Sequence, residues 1–237
     1  MIIGPVNISL SVLWNSLFVG DYNSLDAMIL TNIRIPRVLL GACVGATLAC
    51  CGAVLQGLFR NPLADPTLIG VSAGASAGAS FAIVLGASIV HGGALFGISV
   101  VAIAAFTGGL ITSLIVYRLA SGPEGTSVAT MLLAGIAISA LAGAINSLLS
   151  FFSDDESLRR ISLWQMGNLD ASTWQHVWLM GAVFIALIVA FPRDARGLNA
   201  MLLGESEARH LGIEVEWMKR RLIIFTALGI GVSVAVV

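Results

Sequence analysis

Long stretches without charged residues alternate with short polar segments along the chain. No Asp, Glu, Lys or Arg occurs in 38–59, 66–117, 125–153, 171–192 or 222–237. A helix needs about 20 apolar residues to cross the hydrocarbon core of a bilayer, and the second stretch is long enough for two helices. The pattern predicts an all-α, polytopic transmembrane helical bundle. The predicted spans are about 37–58, 67–90, 93–118, 126–152 and 174–191, with a partial span at 222–237.

The composition excludes several classes of function. Hydrophobic residues make up 57% of the 237 residues and charged residues 11%, whereas soluble domains carry about 25% charge. The formal net charge of −1 argues against a nucleic-acid partner. The only lysine, Lys219, lacks the glycine-rich loop of an ATP-binding motif. The histidines and cysteines lack metal-ligand spacing, so we expect no catalytic residue, metal or cofactor on this chain.

Residues 2–20 are apolar, but Gly4, Pro5, Asn7 and Asn15 interrupt them. They form either a further span or a segment lying at the membrane interface. A second interfacial helix is predicted after residue 153, where Ser153 and Glu156 have the spacing of a helix capping box.

The positive charges set the orientation. If the polar segment 193–221 is cytoplasmic, that side holds all of the 12 Lys and Arg residues except Arg34, Arg37, Arg159 and Arg160. This distribution obeys the positive-inside rule. The four outer arginines are exceptions that need a reason.

Small residues recur every fourth position over Gly41–Gly57, Gly70–Gly86 and Gly135–Ser147. Residues four apart share a helix face, so we predict three seams at which helix backbones pack closely. The second seam also contains two matches to the G-x-S-x-G pattern of serine hydrolases, at Ser72 and Ser76. Repeats of small residues produce this match by chance, and we favour packing over an intramembrane protease.

Apart from Arg37 and Arg118 at their ends, the predicted spans contain no acidic residue or arginine. Transporters coupled to protons or sodium usually carry such charges, so their absence disfavours a secondary transporter and suits a pathway for a bulky substrate. Gln56 is the most polar side chain deep in a predicted span. It either lines a pathway or hydrogen-bonds a neighbouring helix.

The polar segment 193–212 is predicted to contain two short helices, over 198–203 and 205–211, hinged at Gly204. Gly212 stands in a C-cap position, and Glu205 and Arg209 have the spacing of an i,i+4 ion pair. The helices either dock a soluble partner or lie on the lipid surface. We favour docking, because a simple tether between two spans needs no ordered helices with apolar faces.

Six short motifs occur in order along nearly the whole chain. They are R-I-P-R at 34–37, Q-G at 56–57, R-N-P-L-A-D-P at 60–66, L-L-A-G-I-A at 132–137, W-Q-M-G at 164–167 and L-G-E-S-E-A-R-H-L-G at 203–212. Together they resemble the FecCD-type ABC transporter permease family, whose members import siderophores, haem and vitamin B12. The resemblance implies the fold of a type II ABC importer permease and a homodimer with its translocation route between the subunits.

The resemblance also implies roles for individual residues. Matching positions line the gate and the translocation route at Gln56, Asn61, Pro62, Leu63, Thr126 and Ser127. Two separate ATPase subunits, which bind ATP and Mg, would contact Leu203, Gly204, Glu205, Ala208, Arg209, Leu211 and Gly212. A periplasmic substrate-binding protein would dock on Arg34 and Arg37 through its glutamates, which would explain two of the outer arginines.

The implied function is the permease subunit of an importer for an iron complex, a siderophore or haem, in the bacterial inner membrane. A vitamin B12 importer is the alternative. The stretch 153–160 is more similar to the siderophore and haem permeases than to the B12 branch. The family pattern also places one helix before residue 1 and further helices after Val237, so we expect one permease domain, 1–237, truncated at both ends.

Overall fold

Helices account for most of the structure, and local signals set many of their ends. The computed structural model describes residues 14, 24–89, 94–95, 98–123, 125–170 and 172–237. The prediction for residues 2–20 therefore lies outside the described residues, Trp14 excepted. The helices are α1 (Leu25–Ile29), α2 (Ile35–Phe59), α3 (Val71–Ile89), α4 (Val100–Ala120), α5 (Val128–Phe151), α6 (Asp155–Gln165), α7 (Trp174–Ala190), α8 (Ala195–Met201), α9 (Glu205–His210) and α10 (Val215–Val236).

Shorter elements connect these helices. A π-helical turn joins α1 to α2, and 3-10 turns precede α3 and α8. Two antiparallel hairpins flank α4 in the described ranges. The turns span Leu30–Arg34, Pro66–Ile69 and Phe191–Asp194, and the hairpins pair β1 (Ala94–Leu95) with β2 (Ile98–Ser99) and β3 (Ser121–Gly122) with β4 (Gly125–Thr126).

The first helical stretch begins at Leu25, not near residue 37 as predicted. Ser24 caps it, because its hydroxyl accepts a hydrogen bond from the Ala27 N–H at 3.2 Å. Pro36 lacks a backbone donor and its ring crowds the preceding turn. The wider π-helical turn before α2 accommodates this proline without ending the helix.

Two other predicted boundaries are also displaced. Helix α4 begins at Val100 rather than near residue 93, after the β1–β2 hairpin, and Ser99 caps it by accepting from the Ala102 N–H at 3.0 Å. Helix α6 is capped by Asp154 rather than by Ser153, whose hydroxyl instead donates to the Leu149 carbonyl at the end of α5. Because the Ser153 hydroxyl is hydrogen-bonded to α5, it does not cap α6.

The final helix starts at Val215, whereas the sequence predicted a start near Leu222. It therefore carries four charged residues in its first two turns before its apolar part begins. Gly204 (φ +126°) and Gly212 (φ +82°) bracket α9, which confirms the predicted hinge and C-cap. Glycine adopts such angles at little steric cost.

Four helical stretches in the described part of the chain are long and apolar enough to cross a membrane. They are Leu25–Phe59, Val100–Ala120, Val128–Phe151 and Trp174–Met201, and Val71–Gly86 is a shorter apolar helix. Four of the five predicted full spans thus coincide with such stretches, and the fifth coincides with the shorter helix. The prediction of an all-α membrane bundle is confirmed.

Close backbone packing is concentrated between α3 and α4. A Cβ added at Gly74 would come within 2.6 Å of the Gly108 carbonyl oxygen and would also overlap Thr112, so this seam needs glycine. In the third seam, a Cβ at Gly135 would overlap the Leu68 carbonyl, but one at Gly143 would meet nothing within 4 Å. A Cβ at Gly45 in the first seam would also meet nothing. The prediction is confirmed for the second seam and only in part for the third.

Helix α10 packs against α2, α3, α4 and α7. The main buried cluster lies where α2 and α10 meet, around Cys51, Leu55, Leu58, Leu222 and Ile223. Because this cluster also includes Met201 and Ala208, the short helices α8 and α9 are attached to the bundle through a common core. That attachment positions the segment that the sequence predicts to couple to a partner.

Candidate gate and coupling site

The loop that follows α2 is rigidly folded. Arg60 adopts a left-handed conformation (φ +51°), and the Asn61 N–H closes α2 by donating to the Gln56 carbonyl at 3.1 Å. The Asn61 side chain accepts from the Leu63 N–H at 2.9 Å. This turn leaves Leu63 85% exposed, an unusual position for an apolar side chain in a tightly hydrogen-bonded loop.

Asp65 ends the same loop and caps the 3-10 turn that precedes α3. Its carboxylate accepts from the Thr67 N–H at 2.7 Å. The hydrogen bonds from the Thr67 side chain and backbone hold the pKa of Asp65 below its ordinary value. Asp65 is therefore ionised at neutral pH and fixes the geometry of the turn.

The second predicted gate wall lies at the start of α5. Ser127 is the N-cap, and its hydroxyl accepts from the Thr130 N–H at 3.3 Å. Thr126 is buried and belongs to β4. Its N–H donates to a carboxylate oxygen of Glu216 on α10 at 2.9 Å, so the start of α5 is hydrogen-bonded to the final helix.

A cavity of about 530 Å³ brings parts of both predicted walls together. Arg60 lines it from the first loop, Thr126 and Ser127 line it from the start of α5, and Glu205 lines it from α9. The other predicted gate residues, Gln56, Asn61, Pro62 and Leu63, do not line it and are exposed. The cavity thus joins the gate region to the predicted coupling segment at one end of the bundle.

Lys219 is the central group of this region, and the sequence interpretation gave it no role. Its side chain is 1% exposed. The ammonium lies 2.8 Å from the Thr126 carbonyl, 2.8 Å from a Glu205 carboxylate oxygen and 3.4 Å from Glu216. An ammonium has three protons to donate, so each of these contacts can take one. A single buried cation therefore joins α9, α10 and the hairpin before α5.

A second ion pair attaches the beginning of the coupling segment. Asp194, in the 3-10 turn before α8, is 4% exposed and binds the Arg221 guanidinium through both carboxylate oxygens. The Arg221 guanidinium also lies over the Trp217 ring, 4.1 Å from its centroid. Together the Asp194–Arg221 and Glu205–Lys219 pairs fasten both short helices to α10.

The predicted coupling residues divide into inward and outward groups. Ala208 is fully buried, and the Glu205 side chain is only 29% exposed because it faces Lys219. The predicted Glu205–Arg209 pair spans 4.0 Å, whereas Arg209 lies 3.7 Å from Glu216. Three exposed leucines flank α9, Leu202, Leu203 and Leu211, at 63%, 73% and 65% exposure, beside the exposed polar residues of α9 itself.

At the opposite end of α2, Arg37 forms an ion pair with Asp170 at 2.7 Å. Both side chains are largely exposed, at 41% and 74%, so the pair is weak. Nearby, the Trp174 indole donates to the Thr31 carbonyl at 3.1 Å. The predicted docking residue Arg37 thus has an acidic partner within its own chain. Arg34 lies in the π-helical turn, one turn earlier.

A small polar cluster lies between α3 and α5. The Asn146 amide donates to the Ser76 hydroxyl at 3.2 Å and accepts a short hydrogen bond from Ser80. Asn146 is a partly buried amide inside a predicted span, unlike the exposed Gln56. The hydrogen bond of Ser76 to an amide supports a packing role for its G-x-S-x-G match. His91 lies outside the described residues.

Lys219 and Glu216 could have been found from the sequence. Glu216 and Lys219 have the i,i+3 spacing of a helical ion pair. Val215, Met218 and Leu222 continue the apolar face of α10 at helical spacing, and all three are buried. This periodicity signals a helix that starts before the charge-free run.

The fold is that of a multi-pass helical membrane protein. A model of the FecCD transport family matches residues 1–237. The chain belongs to this family, and it is a multi-pass protein of the bacterial inner membrane.

Curated relatives include permeases for two kinds of substrate. The chain is 41% identical to the hemin transport system permease protein HmuU of Yersinia pestis, over 98% of this chain and 67% of that protein. It is 43% identical to the cobalamin import system permease protein BtuC of Halobacterium salinarum, over 83% and 51%. The vitamin B12 import system permease protein BtuC of Salmonella newport is 39% identical, over 91% and 64%.

Among solved structures, the chain is similar to one described as an inward-facing conformation of a metal-chelate type ABC transporter. The TM-score is 0.79 at 30% sequence identity, over 99% of this chain and 69% of that one. The chain thus spans between about half and two thirds of the length of the curated relatives it matches.

Proposed function

We propose that this chain forms the gate and coupling part of the permease subunit of an ABC importer for an iron complex, a siderophore or haem. ATP and Mg would be bound and ATP hydrolysed by a separate ATPase subunit. The observation that carries the proposal is the buried Lys219 ammonium, which bridges Glu205 on α9 and the Thr126 carbonyl beside the start of α5.

This bridge supports a specific mechanism of coupling. The exposed leucines on either side of α9 offer apolar contacts to a soluble partner, and the inward carboxylate of α9 is bonded to Lys219. When an ATPase subunit moves α9, the Lys219 ammonium transmits that displacement to β4 and the start of α5. Because a buried ion pair resists separation, the two elements move as one body and open or close the cavity beside Arg60.

The partners of the proposed importer follow from its exposed surfaces. Each of the two ATPase subunits would bind the Leu202, Leu203 and Leu211 surface of one permease protomer. A second permease protomer would complete the route, in which Leu63, 85% exposed here, would meet its counterpart. A periplasmic binding protein would dock at the Arg34–Arg37 end, where an acidic residue of that partner would compete with Asp170 for Arg37.

The substrate class rests on the relatives and on the polarity of the helices. The hemin permease of Yersinia pestis aligns over 98% of this chain. The polar groups described between α3 and α5 are neutral and hydrogen-bonded to one another, which suits a bulky chelate delivered whole. A corrinoid is the second candidate, because the cobalamin permease of Halobacterium salinarum is 43% identical over 83% of the chain.

The test is to purify the permease with its cognate binding protein and to identify the bound ligand by absorbance and mass spectrometry. We expect haem or a ferric siderophore to copurify. A corrinoid would transfer the assignment to the second candidate. A binding protein that retains an amino acid or a sugar would refute the metal-chelate class.

A further inference from the structure

A groove between α4 and α10 ends in two arginines. Its volume is about 480 Å³. Apolar side chains line most of it, among them Leu110, Leu114, Ile223, Ile224 and Leu228. Arg118 and Arg220 line its other end, so the groove has an apolar body and a cationic mouth.

The two arginines have no acidic partner among the described residues, a set that omits Glu124. Other cations on α10 are satisfied: Lys219 is bonded to Glu205, and Arg221 to Asp194. Arg118 also lies in the last turn of α4, where the exposed carbonyls favour a cation and would keep it in place. Both arginines are exposed, so an incoming anion can reach them.

The length and position of the groove fit a lipid. Leu110 and Leu228 each lie eight residues from the arginine of their own helix, which is about 12 Å at 1.5 Å per residue. Arg220 is adjacent to Lys219, so the mouth of the groove lies at the same end of the bundle as the coupling cluster. The positive-inside rule assigns this end to the cytoplasm, where the inner leaflet carries anionic headgroups.

We propose that this groove binds an anionic glycerophospholipid. The Arg118 and Arg220 guanidiniums hold the headgroup phosphate, and an acyl chain lies along Leu114, Ile224 and Leu228. Guanidinium groups donate paired hydrogen bonds to phosphate oxygens, and the apolar wall excludes a free ion from most of the cavity. The site is independent of the transported substrate.

Native mass spectrometry of the purified chain with added phosphatidylglycerol or phosphatidylcholine tests the proposal. We expect preferential retention of phosphatidylglycerol and a loss of at least about tenfold in Arg118→Gln/Arg220→Gln. Arg159→Gln/Arg160→Gln is the matched control, because it removes two exposed positive charges from α6. An equal loss in the control, or equal retention of both lipids, would overturn the site.

A second variant separates a lipid from a free phosphate. Ile224→Trp fills the groove without changing a charge, since Ile224 is 46% exposed along its wall. We expect this variant to lose phosphatidylglycerol as well, and inorganic phosphate not to displace the lipid from the wild type. Unchanged retention in Ile224→Trp, or displacement by phosphate, would show that only the two charges bind and would refute the proposal.

Discussion

The Lys219 ammonium lies 2.8 Å from the Glu205 carboxylate and is almost completely buried, although Glu205 belongs to a short helix at the edge of the bundle. The same ammonium contacts the Thr126 carbonyl from the hairpin before α5. An element at the surface and an element of the gate region are therefore held by one group.

Replacing Lys219 by Met should destabilise the protein by about 3 kcal/mol, because Glu205 and Glu216 would be left facing each other and the Thr126 carbonyl would lose its donor. Thermal unfolding in detergent measures this effect. Arg196→Met is the control, since Arg196 is exposed on α8 and the change should cost less than about 0.5 kcal/mol. Equal melting temperatures for the two variants would contradict the role of Lys219.

Replacing Leu203 or Leu211 by Ser should weaken assembly with the ATPase subunit without changing the fold, because both side chains are largely exposed. Truncating an apolar anchor at an interface commonly costs at least about 1 kcal/mol, or roughly fivefold in affinity. Copurification with the ATPase measures the effect. Leu163→Ser is the control, because Leu163 is 53% exposed on α6, at a distance from the coupling segment. Equal assembly in all three variants would contradict the docking role of Leu203 and Leu211.

Gly212→Ala tests the C-cap of α9 separately. Gly212 has φ +82°, and a Cβ in this left-handed region costs about 1 kcal/mol. A Cβ there would meet nothing within 4 Å, so the penalty comes from the local backbone conformation and not from a clash with a neighbouring element. We expect a small loss of thermal stability together with weaker ATPase assembly. Full assembly in this variant would show that the orientation of α9 does not matter for docking.

Arg37→Glu should weaken docking of the binding protein, and the loss should shrink as salt is raised. Because Asp170 pairs with Arg37, replacing Asp170 should have the opposite effect on docking. Asp170→Asn removes the competing carboxylate and should strengthen docking or leave it unchanged. Equal weakening of docking by Asp170→Asn and Arg37→Glu would show that the ion pair stabilises the docking surface. Arg37 would then not contact the binding protein directly. Surface plasmon resonance across salt concentrations measures both variants.

Gly74→Ala should destabilise the bundle by about 2 kcal/mol, because its Cβ would overlap Thr112 and the Gly108 carbonyl. Gly86→Ala lies on the same helix, where a Cβ meets nothing within 4 Å. That control should be neutral or slightly stabilising, since alanine favours a helix by about 1 kcal/mol over glycine. Similar melting temperatures for both variants would refute the close approach of α3 and α4.

The sequence predicted the apolar helices well, because a segment that crosses the hydrocarbon core must be apolar and nearly free of charge. It placed α5 and α7 within two residues of their observed ends. It misplaced the start of α10 because a charge ends a membrane span but not a helix. The contacts of Lys219 could not be predicted in full, since Thr126 is 93 residues away in the chain.

The seams of small residues were likewise predicted only in part from the sequence. Spacing alone predicted three equivalent seams, yet a Cβ is excluded at Gly74 and tolerated at Gly45 and Gly143. Which seam becomes a close contact depends on the helix that packs against it, and this is not encoded in the periodicity of one helix. The outward position of Leu63 and the inward position of Glu205 likewise depend on tertiary packing.

Uptake of a radiolabelled iron complex into proteoliposomes tests the central claim most directly. The vesicles would contain the permease assembled with its ATPase subunits, with the binding protein supplied outside. We predict uptake that requires ATP and is lost when the ATPase is inactivated by mutation. Uptake that continues without ATP, or that follows an imposed proton or sodium gradient, would contradict the assignment as an ATP-driven importer.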